Sequence, residues 1–271
     1  MAYLGLAILC SASLALIFRH TEARNYSRYA VTLSNYGTAV VFAVVLWLGG
    51  GHGVPDRSAV LIGIPAGILF FAAFIAYQRA VRAYGAGPAG MYGKLGVLVP
   101  MMLSVVIWQE IPTALQAAGA VLALAAIMLS QTGNGAVVRP LLLGLLVAMG
   151  FAEFSNKVFE YYGDLSDRPA FLAIVFGTAL LLAIVELTRR RTRPTPRELL
   201  WGVAVGVPNL LSSYFLIAAL TTIPAATAFP SFSAGSTVVI VLGAVVLYRD
   251  TMSRRQWAAL GMTVIALILV G

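Results

Sequence analysis

Ten long apolar runs divide the chain, at about 3–18, 29–48, 58–78, 87–108, 113–130, 140–159, 169–188, 198–218, 225–247 and 255–270. No other feature constrains the fold as strongly. About 20 apolar residues in a helix cross a ~30 Å hydrocarbon core, and only helices or closed barrels satisfy their own backbone there. Of the 271 residues, 60% are apolar and 10% charged, whereas about a quarter are charged in a soluble domain. Ten crossings leave room only for short loops. The expected fold is therefore an all-α integral membrane protein with ten transmembrane helices. Met1 to Phe18 has no basic leader and no small-residue cleavage site, so it reads as a retained first helix.

An internal repeat organises these runs. Leu4-Gly5-Leu6 recurs as Leu143-Gly144-Leu145, and Gly63 and Gly67 recur as Gly202 and Gly206 at the same displacement. Trp108-Gln109-Glu110 followed by Gln116 is answered by Tyr248-Arg249-Asp250 followed by Gln256, one residue further on. The boundary falls near Gln131 to Arg139, giving a first five-helix repeat at 1–135 and a second at 136–271. Five is odd, so the second repeat must be inverted, and inverted repeats are a transporter architecture.

The formal charge of +8 lies between the apolar runs and not on one basic face, which argues against nucleic acid. The loops after odd-numbered segments carry fourteen arginines and the opposite loops only Arg57 and Arg168. The positive-inside rule then places the odd loops in the cytoplasm and both termini outside an inner (cell) membrane. One cysteine, Cys10, excludes an internal disulfide. His20 and His52 fall in expected loops, and no phosphate-cradling loop or paired cysteines are present, so neither a cofactor nor a metal is expected.

Charges inside apolar runs are costly, about 2.5–3.5 kcal/mol each at the bilayer centre, and mark candidate sites. Lys94, Glu153 and Lys157 qualify. Glu153 and Lys157 stand four apart with the acid first, the favourable order for a helical ion pair. That pair either lowers insertion cost or makes Glu153 a proton-coupling group with Lys157 beside it. Lys157 is also near enough to the helix end to reach the interface. Lys94 has no acid near it in sequence, so it either awaits a partner from elsewhere, attracts an anionic group on a solute, or reaches the headgroups. Asn35 and Asn209 are expected to face the interior, Asn209 following Pro208 in mid-helix as Pro65 interrupts segment 3. Tyr77, Tyr214 and Ser231 complete the candidate substrate-binding set. The spaced glycines read as close helix contacts, and Glu110 and Asp250 as caps or interfacial partners.

Pro100-(x)9-Glu110-Ile111-Pro112-(x)3-Gln116-(x)2-Gly119, with its second copy Tyr248-Arg249-Asp250-(x)5-Gln256-(x)4-Gly261, resembles the ten-helix, EamA-like form of the drug/metabolite transporter superfamily. The resemblance covers essentially the whole chain. It implies a secondary carrier, often an exporter, whose cavity between the two repeats is lined by helices 1, 3, 4, 6, 8 and 9. The expected function is export of a small polar or amphoteric solute (amino-acid-like, amine or drug-like) by alternating access, with proton coupling through Glu153, by a monomer or homodimer. Facilitative or import transport of the same solutes is the alternative. A membrane-embedded lipid-processing enzyme is more remote, because such chemistry needs clustered acid/base groups.

Overall fold

Helices start in this chain where a side chain or a proline relieves the unbonded first turn. A computed structural model describes residues 1–51, 53–84, 86–130, 139–191, 193–249 and 254–270. Its helices are α1 (Ala2–Ala23), α2 (Arg28–Gly49), α3 (Arg57–Tyr84), α4 (Ala86–Leu95), α5 (Leu98–Trp108), α6 (Ala114–Ser130), α7 (Pro140–Tyr162), α8 (Arg168–Arg189), α9 (Pro196–Leu220), α10 (Ala225–Tyr248) and α11 (Arg254–Val270), with a 3₁₀ turn at Leu165–Asp167. The Ser27 hydroxyl caps α2, Pro140 opens α7, and Thr195 with Glu198 forms a reciprocal capping box on α9. Asp56 caps α3 by accepting the Ser58 N–H at 2.9 Å and the Ser58 hydroxyl. Those bonds hold the exposed Asp56 carboxyl below the usual carboxylate range.

The fold is all-helical among the described residues. Seven helices (α1, α2, α3, α7, α8, α9 and α10) are long and apolar enough to cross a membrane. Packing is inverted relative to a soluble protein. Alanines such as Ala7, Ala39, Ala123 and Ala179 fill the interior, while Leu48, Val106, Leu200 and Val246 stand more than half exposed on the outside. That distribution suits lipid as solvent, where close contact of small residues joins helices.

Two of the expected breaks differ. α1 continues through Arg19 and His20 to Ala23, and His20 is helical, stacked on Trp201 at 4.4 Å. The run at 87–108 is not one helix but α4 and α5, separated at Gly96-Val97. Pro100 has no N–H to return to the Gly96 carbonyl. The junction tightens into bonds from Gly96 N to Gly93 O and from Val99 N to Gly96 O. Gly150 of α7 fits against this break: a Cβ there would lie 2.5 Å from both Gly96 O and Val99 Cβ. His52, Asp250 and the expected repeat boundary at 131–138 lie outside the described residues.

The spaced glycines do bring helices together. On α3, a Cβ at Gly63 would lie 2.9 Å from Ile174 Cγ2, and one at Gly67 would run into the Val175 carbonyl of α8. On α9, a Cβ at Gly202 would be 2.5 Å from Val31 O and Ser34 Cβ, and one at Gly206 2.5 Å from Thr38 Cβ of α2. Each contact is tied at one end by a carboxylate. Asp167 accepts the Asp56 N–H at 2.6 Å ahead of α3, and Glu198 accepts the Ser27 N–H at 2.7 Å ahead of α2. Replacing Gly206 by Val is expected to destabilise the protein by about 1–3 kcal/mol. Gly177→Ala, which meets nothing within 4 Å, should leave stability unchanged or raise it by up to about 1 kcal/mol. Denaturant unfolding in mixed micelles reads both.

Candidate functional site

The break between α4 and α5 fixes the site. Lys94 lies in the last turn of α4, and its ammonium donates to Ser236 Oγ of α10 at 3.1 Å. Its carbonyl accepts from the Ser233 hydroxyl at 3.3 Å, so α10 serves both ends of this residue. Ser236 in turn donates to the Ser233 carbonyl at 3.0 Å. The opposite charge comes from α7: Glu153 is the carboxylate in Coulombic reach of Lys94, and it accepts from Asn156 Nδ2 at 3.3 Å. The other oxygen-bearing end of that amide, Asn156 Oδ1, is buried without a partner among the described residues. Lys94 and Glu153 thus interact electrostatically beside a helix break without a direct ion-pair contact, and the amide that donates to Glu153 keeps an unsatisfied acceptor. Tyr77 packs next to them, its ring 3.9 Å from where a Cβ on Gly93 would stand.

The expected ion pair between Glu153 and Lys157 does not form. Lys157 is 2% exposed, and its ammonium sits 2.5 Å from Glu110 Oε1 and 2.5 Å from Glu160 Oε2. Trp108 and Tyr161 rings lie 5.7 and 5.9 Å away. A buried ammonium needs full neutralisation, and two carboxylates outcompete the single one a turn earlier. Burial also removes the interfacial reading of Lys157, and the bond to Ser236 removes that of Lys94. Glu110 acts as a cap: its Oε2 accepts the Ala225 N–H at 3.0 Å, tying the first turn of α10 to α5 and α7.

The other candidates are not gathered here. Asn209 donates to Asn35 Oδ1 at 3.0 Å, each satisfying the other between α9 and α2. Tyr214 lies under the Arg168 guanidinium at 4.8 Å. Ser231 is fully buried on α10, its hydroxyl without a partner among the described residues. Asn156, Glu160 and Arg168 carry interactions that sequence reading passed over. Asn156 and Glu160 follow Glu153 by three and seven positions, a helical spacing that marks one face. Among the described residues no three metal-ligating side chains cluster.

The apolar helices and buried charges define a multi-pass membrane protein. The EamA-like transporter family model matches residues 1–132 and 141–271, and the chain belongs to that family, within the drug/metabolite transporter superfamily. It is 23% identical over 267 residues, 93% of this chain and 91% of the other, to a Haemophilus influenzae protein described as "Uncharacterized protein". A solved structure titled "Crystal structure of protein" shares the fold at a TM-score of 0.78 with 18% identity, covering 98% of this chain and 96% of that one. The family is one of membrane transporters, not enzymes.

Removing Lys157 alone leaves two buried carboxylates uncompensated. Lys157→Met is expected to cost about 3–5 kcal/mol, and adding Glu110→Gln should recover part of the loss. Unfolding of the single and double variants measures the difference.

Proposed function

We propose that the chain is a secondary-active exporter of a small polar or amphoteric metabolite, with ten crossings in two inverted halves, 1–135 and 136–271, that rock about a midplane site. The pattern of contacts supports the inversion. α3 of the first half packs through its glycines on α8 of the second, and α9 of the second packs through the equivalent glycines on α2 of the first. The carboxylate ties at Asp167 and Glu198 are related in the same way. Reading α4 and α5 as one broken crossing gives ten, and a discontinuous helix at depth is where transport sites are built. The arginine asymmetry supports cytoplasmic odd loops in an inner membrane.

One observation carries the substrate reading: Lys94, bonded to Ser236, and Glu153, of opposite charge, influence each other across the break without pairing directly, and Asn156 Oδ1 has no partner among the described residues. Lys94 receives an anionic group and Glu153 a cationic one, with Tyr77 beside them. Glu153 also serves as the proton-coupling carboxylate, since the solute's cation and a proton compete for it. Asn209, Tyr214, Lys157 and Ser231 act through helix packing around this pair.

Proteoliposomes loaded with amino acids, amines or nucleosides test this. Wild type should move a solute faster when a pH gradient is imposed. Glu153→Gln should abolish the gradient's effect, because its amide cannot release a proton, and should weaken solutes that carry an ammonium more than those that do not. Lys94→Ala should weaken solutes that carry a carboxylate more than those that do not. A Glu153→Gln protein that still responds fully to the gradient would remove Glu153 from coupling.

A further inference from the structure

A further cation inside the bundle, Arg168, shares no partner with Lys94 or Lys157 among the described residues. Arg168 is the first residue of α8 and is half-buried. Its guanidinium rests over the Tyr214 ring of α9 at 4.8 Å, and it also feels the hydroxyls of Tyr214 and of Tyr3 on α1. Tyr3 is itself stacked on Phe215, centroids 6.3 Å apart, and Phe215 meets Tyr214 edge-on at 5.7 Å. Two helices, α1 and α9, therefore join three aromatic rings into a frame on which the guanidinium of α8 is seated through Tyr214.

What this frame lacks is an anion. Among the described residues no ion pair is shown for Arg168, unlike Lys157 and Arg190. The nearest acids along the chain are engaged elsewhere. Asp167 accepts the Asp56 N–H, and Asp164 accepts the Ser166 N–H and hydroxyl at 2.9 and 2.8 Å. Arg168 Nε is buried and has no hydrogen-bond partner among the described residues, the Tyr214 side chain being the neighbour the rest of the guanidinium meets. Stacking occupies the face of a guanidinium, while its five N–H donors point outward in the plane. An orphaned, buried donor on a charged group carries the full cost of desolvation. That cost is relieved when a planar acceptor meets the free edge.

We propose that Arg168, seated on Tyr214 and beside Tyr3, forms an oxyanion-binding site that takes a carboxylate or phosphate group through its in-plane N–H edge. The same chemistry is presented by a free solute or by a phospholipid headgroup. The site is separate from the Lys94 and Glu153 pair, so its failure leaves the carrier reading intact.

The test uses the full chain, purified in a neutral detergent without lipid. Thermal unfolding is followed against sodium phosphate, sodium acetate, and dihexanoyl phosphatidylglycerol below its micelle concentration, each compared with sodium chloride at equal ionic strength. Wild type is expected to be stabilised in a saturable way by at least one oxyanion beyond the chloride control. Arg168→Gln should abolish that gain. Arg168→Lys keeps the charge without the fork and should raise the half-saturating concentration by about tenfold or more. Tyr214→Leu keeps Arg168 and removes its platform, and should weaken binding even where Arg168→Gln fails to fold. Stabilisation by soluble phosphate or acetate assigns the site to a solute, and stabilisation by the lipid alone assigns it to a headgroup. An absence of any oxyanion effect in wild type, or an equal effect in Arg168→Gln, overturns the proposal.

Discussion

Close backbone contact at two glycine pairs is the constraint on which the rest of this bundle depends. Lipid gives helices little hydrophobic reason to associate, so contact area between small residues must supply it. Gly63 and Gly67 let α3 lie against α8, and Gly202 and Gly206 let α9 lie against α2. With α2, α3, α8 and α9 fixed in this way, Phe159, Phe171 and Phe176 fill the space between them. Phe159 brings α7 into that core, stacked on Phe171, and α4, α5 and α10 are held beside it. Their polar residues face one another and not lipid.

α7 concentrates the buried chemistry. Glu153, Asn156, Lys157 and Glu160 lie on the second half of this helix in two groups, Asn156 donating to Glu153 and Lys157 pairing with Glu160. Glu153 lies in Coulombic reach of Lys94, while Lys157 is enclosed by Glu110 and Glu160. The difference lies in the number of compensating groups. Lys157 has two carboxylates in direct contact and two aromatic rings around it. Around Lys94 and Glu153 the hydrogen bonds are longer and an amide oxygen stays unsatisfied. An incompletely satisfied polar cluster is able to exchange a partner for a solute, and a closed one is not.

Much of this was legible from residue spacing, and the misses share a physical cause. Long apolar runs and four-residue glycine spacings are local patterns; the glycines form the close helix contacts expected of them, and the runs appear as helices except that 87–108 is divided. Asn35 and Asn209 were recognisable as interior residues, but nothing local says that they bond each other across 174 positions. The same applies to Glu110 and Lys157, where a local i,i+4 acid looked sufficient and a distant one prevailed. The break at Gly96-Val97 was hidden inside continuous hydropathy, although Pro100 and the glycines before it held the signal. Arg168 was counted as a loop charge because it borders the apolar run, whereas stacking on Tyr214 takes it inside.

Glu110 has a consequence for how the molecule can move. Its two oxygens hold two different bodies, the Lys157 ammonium on α7 and the first N–H of α10, and its own backbone continues from α5. A carboxylate shared in this way acts as a latch with a threshold. Small tilts of α10 stretch one bond and leave the other, but a displacement large enough to carry Glu110 away exposes a fully buried ammonium to a single remaining carboxylate. A shift of α10 that carries Glu110 with it therefore costs the Lys157 ammonium one of its two carboxylates at once.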